Sequence, residues 1–244
     1  MLSDFNCKIF NYDHIKLLNT TDNFSDVIAE KIKSDLSVLD LLGIHRLICQ
    51  VTCDENKPVS LTLEKIKNLE SFIKASIPGS LRRKFNVSVY PSVALSENTP
   101  YVQKLSELTV KGTNYIFAEL PISIVYPDYL DATINKILYN CKLRPIFTEF
   151  DIFATIHKST DYIEKMINIK GAAFVFSLNN KNFQNNIDLI KAIYAKGNKV
   201  LFSTNSEHDV FNAKRIADNV AFLKEKLQKG AYLDIMLQAH SFLR

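Results

Sequence analysis

The 244-residue sequence has no tryptophan, only six glycines, four cysteines and five histidines. The scarcity of glycine excludes the most. No glycines are arranged as G-x-G-x-x-G, so the phosphate-binding turn of an open dinucleotide-binding sheet is missing. Cysteine is equally thin. Cys7, Cys49, Cys53 and Cys141 include one close pair, Cys49 and Cys53, with no second pair to complete a zinc ribbon. Reduced, mostly buried thiols are the expectation. No stretch approaches the ~20 apolar residues of a membrane span. Met1–Asn11 lacks the charged-then-apolar layout of a secretion signal. A cytoplasmic protein with no integral membrane segment is therefore expected. Long runs of one charge are absent too. The densest basic clusters are Arg82–Lys84 and Lys224 with Lys226, against a net charge of +4. A nucleic-acid binder would carry a stronger basic stripe, so no nucleic-acid partner is expected.

What the sequence has in quantity is apolar residues, 47% of the chain, beside 23% charged. That balance excludes wholesale disorder. Short β-rich runs alternate with amphipathic ones. Strands are predicted at Lys8–Phe10, His45–Thr52, Asn86–Tyr90, Tyr115–Leu120, Arg144–Thr148, Ala172–Ser177 and Val200–Ser203. Helical spacing runs from Ser25, an N-cap candidate, to Leu39, with Gly43 beyond it. It recurs over Leu63–Ile73, Tyr101–Leu108, Asp128–Asn140, Ser159–Ile167, Phe183–Ala195, Val210–Gln228 and Ala231–Phe242. Strands alternating with helices predict βα units and a parallel sheet. The expected fold is α/β: a single distorted, TIM-like β/α barrel of about seven strands, filling residues 1–244 as one domain. An open doubly wound sheet is the alternative, and the missing glycine turn counts against it.

In a parallel barrel the chemistry sits just past the C-terminal ends of the strands. Those places define a candidate pocket at the mouth. Asp13 and His14 follow the first predicted strand, and Cys53 follows the second. Glu119 lies in the fourth, Glu149 and Asp151 follow the fifth, and Asn205, Glu207 and His208 follow the last. The set is rich in oxygens and poor in imidazoles: His45, His157 and His240 fall elsewhere. Glu149 and Asp151, separated by one residue, share a face if the strand runs on through them. Cys53 becomes a nucleophile only with a histidine beside it in space. No Ser-His-Asp order or nucleophile elbow is present. No catalytic residue and no metal ligand is assigned.

The order of elements resembles the polymerase and histidinol phosphatase (PHP) family over about Lys8 to Arg244. The likeness is greatest to the bacterial manganese-dependent tyrosine-protein phosphatases of capsular and exopolysaccharide operons. Where the family opens with an H-x-H pair, this sequence reads Tyr12-Asp13-His14. Where it has a T-P-H type motif, the run Leu47–Cys53 has no histidine. Where it has P-G-x-E, Tyr90-Pro91-Ser92-Val93-Ala94 puts alanine at the metal-bridging glutamate. Tyr115–Pro121 resembles the family's strand ending in E-x-P and is the clearest local match. Pro145–Asp151 stands where P-V-I-A-H-P-E-R is found, with Glu149 for the histidine. Thr204-Asn205-Ser206-Glu207 stands for S-D-x-H.

The resemblance implies a PHP-type barrel whose metal ligands have been replaced. It implies a catalytically inactive pseudophosphatase with a binding or regulatory role and no cofactor, linked to surface polysaccharide synthesis. A tyrosine kinase, or a second copy of the chain, is the partner it suggests. For a homo-oligomer, Tyr126, Tyr129, Tyr162 and Tyr232 are candidate interface aromatics. The alternative is a metal-dependent phosphoesterase or tyrosine-protein phosphatase with a rebuilt, oxygen-rich site. That site would hold manganese, zinc, iron or magnesium among Asp13, His14, Glu119, Glu149, Asp151, Glu207 and His208.

Overall fold

The structure is a computed structural model and describes residues 2–4, 22–99, 105–157, 160–204 and 211–241. Seven strands form one parallel sheet in the order of the sequence. They are β1 (Leu2–Asp4), β2 (Ile44–Cys53), β3 (Asn86–Ala94), β4 (Tyr115–Glu119), β5 (Arg144–Thr148), β6 (Ala173–Ser177) and β7 (Lys199–Ser203). Each neighbouring pair is parallel. Every connection is therefore a crossover, most of them carrying a helix, and the sheet curls into a nearly closed β/α barrel. The helices are α1 (Asp22–Leu41), α2 (Val59–Ser76), the short α3 (Gly79–Arg82), α4 (Leu130–Asn135), α5 (Phe150–Ile156), α6 (Thr160–Ile167), α7 (Ile187–Ala195), α8 (Ala213–Lys226) and α9 (Lys229–Ser241). None among the described residues is long and apolar enough to cross a membrane.

Strands covered by helices outside and by one another inside read as continuous apolar runs. All five residues of β6, Ala173 to Ser177, are buried. The larger core cluster lies between sheet and helices and is built on phenylalanine. Phe150 from α5 meets Phe174 of β6 at 4.6 Å between ring centroids, and Phe147 meets the same ring at 5.5 Å. The aromatics weighed as an oligomer surface are half-buried. Tyr126 stacks on Tyr162 at 3.9 Å, and Tyr129 and Tyr232 pack against the core.

Several sequence expectations need correction. The first described strand is Leu2–Asp4, paired with Ile44, Arg46 and Leu47; the strand expected at Lys8–Phe10 lies outside the described residues. Residues 5–21 lie outside the described residues. The strand predicted to end at Tyr90 continues to Ala94 through Pro91. The Tyr101–Leu108 helix is, where described, one 3-10 turn at Leu105–Leu108. The helix predicted over Asp128–Asn140 is α4 followed by a wider π-turn at Lys136–Asn140, closed by Cys141 N–H donating to the Lys136 carbonyl at 3.1 Å. A helix not foreseen, α5, begins directly after β5. Glu149 turns the chain in the left-handed region at φ 58°.

The barrel closes between its first and last strands by a different device. Asp4, buried at the end of β1, accepts a hydrogen bond from the Thr204 backbone N–H at 3.0 Å and another from the Thr204 hydroxyl. α9 packs over both β1 and β7. A carboxylate bond to a buried donor contributes roughly 1.5–3 kcal/mol. Asp4→Ala, which removes two acceptors and leaves the Thr204 N–H buried, should therefore cost about 3 kcal/mol. Urea denaturation checks this: the midpoint should fall while the slope stays as in the parent.

Candidate functional site

Strand register decides which side chains face into the barrel. In a parallel pair, residues in register share a face and the face alternates along each strand. Ile48, Tyr115, Phe117, Ile146, Ala173, Val175 and Leu201 form a second buried cluster on the inner face, with Tyr90 packed against it. This apolar plug fills the barrel's middle, as side chains fill small barrels generally.

Above the plug the inner face turns polar. Continuing the alternation gives Thr52 and Ser92, which are in register, then Ala94 beside Glu119, Glu119 beside Thr148, and Ser177 beside Ser203. Among the described strand residues the mouth is thus a ring of hydroxyls around the Glu119 carboxylate. Thr52 Oγ1 donates to Glu119 Oε1 at 2.8 Å, and the Ser92 hydroxyl donates to the same oxygen. Ser92, Thr148, Ser177 and Ser203 are buried, and Thr148 Oγ1 has no hydrogen-bond partner. Such a rim can hold water or a ligand by neutral hydrogen bonds. Hydroxyls are weak ligands for a divalent cation, which takes imidazole, thiolate or carboxylate donors. No group of three His, Cys, Asp or Glu side chains able to hold a metal ion occurs among the described residues. The donors present on the described strand ends therefore do not fit a metal cluster: Ala94 stands beside Glu119, and one Glu119 oxygen is already engaged by two hydroxyls.

The structure brings few of the sequence candidates to this ring. Glu119 is there. Cys53 ends β2 but belongs to the outer, helix-facing core, with Sγ 3.9 Å from the Asp54 carbonyl oxygen. The described histidines lie elsewhere. His45 bonds Asp40 at 3.0 Å at the opposite end of β2, and His157 packs among Phe153, Tyr126 and Tyr162. Glu149 and Asp151 do not share a strand face, because β5 stops at Thr148 and Asp151 sits in the first turn of α5. Asp13, His14, Asn205, Glu207 and His208 lie outside the described residues. The hydroxyls at Thr52, Ser92, Thr148, Ser177 and Ser203 were not among the sequence candidates for the pocket. Strand register brings them together, a long-range pairing that no local pattern carries.

Asp151 is a separate buried acid. Asn180 Nδ2 donates to its Oδ2 at 2.5 Å, yet burial pushes the carboxyl above its ordinary range, and the hydrogen bonds offset this only in part. Nearby, Asn179 fastens the start of α8. Its carbonyl accepts from Arg215 Nη1 at 2.7 Å, and its side-chain oxygen accepts from the Asn212 N–H at 3.0 Å.

The fold defines a class: a nearly closed, seven-stranded parallel β/α barrel of TIM-like form. It is similar to a solved structure from work on YwqE from Bacillus subtilis and CpsB from Streptococcus pneumoniae, described as unique metal-dependent tyrosine phosphatases. The TM-score is 0.65 at 16% identity, covering 100% of this chain and 94% of that one. The likeness is thus one of fold, and the expected TIM-like β/α barrel of about seven strands is observed. No protein-family model and no curated protein matches the sequence.

The raised pKa of Asp151 gives a signed prediction. The native state holds this proton more tightly than the unfolded chain. The carboxyl's stabilising contribution is full below the ordinary carboxylate range and fades as pH rises through the raised value. Asp151→Asn keeps an acceptor for Asn180 and removes the buried charge. Thermal melts should show the variant more stable than the parent near pH ~7, with the advantage gone near pH ~4.

Proposed function

We propose that this chain, as a single barrel domain over residues 1–244, is a catalytically inactive relative of the PHP-type phosphatases that acts by binding. The observation that carries the reading is the hydroxyl ring at the mouth. Among the described strand residues its carboxylate is Glu119, bonded by Thr52 and Ser92, and Ala94 stands in register with it. The fold likeness to metal-dependent tyrosine phosphatases supplies the reference against which this mouth is unusual. Hydrolysis of a phosphoester by a metal-bound water needs ligands that fix the ion so that it lowers the pKa of its water. The described rim of hydroxyls around an engaged carboxylate does not supply them. It suits recognition of a polar ligand or peptide group instead. The phosphatase resemblance supports a regulatory role beside a tyrosine kinase in surface polysaccharide synthesis, in a cytoplasmic setting.

The test is elemental analysis of protein purified without chelators, paired with turnover of a phosphotyrosine peptide. The expected result is manganese, zinc and iron each well below one ion per chain. Turnover should stay at background and be unchanged in Glu119→Gln. Stoichiometric metal with turnover abolished by Glu119→Gln or His14→Ala would establish a rebuilt metallophosphatase instead.

A further inference from the structure

At the end of the barrel opposite the mouth lies a pocket of about 650 Å³. Its walls are the π-turn after α4, the start of β5, and the turn from α6 into β6. Four cations line it, Lys142, Arg144, Lys165 and Lys170, and no carboxylate does. Three carboxamides, on Asn114, Asn135 and Asn168, add neutral donors.

Lysines at helix C-termini often serve to cap carbonyl groups. Here that work is done by others. The Glu164 and Lys165 carbonyls accept from the Asn168 N–H, and the Met166 carbonyl accepts from Ile169. The Ile167 carbonyl accepts from Asn198 Nδ2 at 2.7 Å. On the other wall, Lys136 and Ile137 carbonyls accept from Cys141 and Leu143. Among the described residues, Lys165 has an acid in reach: its Nζ lies 3.7 Å from Asp131.

The pocket is also built to hold its arginine. The Arg144 guanidinium lies 6.0 Å from the centroid of the Tyr115 ring. On its other side it lies against Gly171, where an added Cβ would come within 3.0 Å of Nη1. Gly171 has φ +77°, a conformation that suits glycine, and its N–H is fixed by the Asn198 side chain at 2.9 Å. Asn198 is 2% exposed, so the turn that bares the guanidinium is anchored in the core. A guanidinium held in place loses little freedom on meeting an anion and matches phosphate oxygens in a two-pronged contact.

We propose that this pocket is a binding site for a phosphate-bearing small molecule with at least two negative charges, of diphosphate size or larger. Its concavity favours a small molecule over a flat polyanion surface. It stands apart from the barrel mouth, so it holds or fails independently of the inactive-phosphatase reading.

The test is calorimetric titration of the full chain with inorganic pyrophosphate at low and moderate salt, followed by two variants of equal charge loss. One is Lys142→Ala with Lys170→Ala in the pocket. The other is Lys224→Ala with Lys226→Ala on α8, away from it. The site predicts saturable binding to one site per chain, weakened by salt. The pocket pair should lose about tenfold or more in affinity, and the α8 pair should be unchanged. Circular dichroism melts confirm that both variants fold. Absence of saturable binding to the parent protein overturns the proposal. Equal weakening by both pairs overturns it as well, since that result reports only overall charge.

Discussion

The barrel depends on a carboxylate at its seam. Six strand pairs are held by backbone ladders, each adding to the one before. Between β1 and β7 the described contacts include no such ladder. Asp4 reaches across instead and takes two hydrogen bonds from Thr204, with α9 lying over both strands. β1 is only three residues long, so this anchor fixes where the first strand ends and the last one turns away. The circular arrangement that lets seven strand ends face one another follows from it.

Once the circle is set, the alternation of side chains decides what the mouth contains. The same period of two that stacks Ile48, Phe117 and Val175 into an apolar plug delivers Thr52, Glu119 and Ser177 to the rim. In a barrel that performs metal chemistry these places carry charge and imidazole. Here the described places carry hydroxyls, and the hydrogen bonds of Thr52 and Ser92 to Glu119 complete a network within the protein. The opposite end reverses this pattern, with cations gathered around a held arginine.

The sequence made β4 to β7 legible to within a residue, because parallel strands buried on both faces leave uninterrupted apolar runs. β1 escaped for the converse reason. Leu2-Ser3-Asp4 has no apolar run, and Lys8-Ile9-Phe10 has a stronger local signal. α5 was hidden because Phe150-Asp151-Ile152-Phe153 alternates too weakly to separate strand from helix, and the turn at Glu149 uses the left-handed region without a glycine. Glu119 was visible as a charge ending a buried strand. Its hydroxyl partners come from β2 and β3, a long-range pairing that no local pattern reveals.

The central claim is that the mouth is occupied by the protein's own hydrogen bonds and offers no bed for a cluster of ions. An anomalous difference map from crystals grown with excess manganese addresses it most directly. The account predicts no peak within coordination distance of Glu119 and a retained contact between that carboxylate and the Thr52 and Ser92 hydroxyls. Two or three strong peaks at the strand ends, with Glu119 turned from the hydroxyls to bridge them, would contradict it.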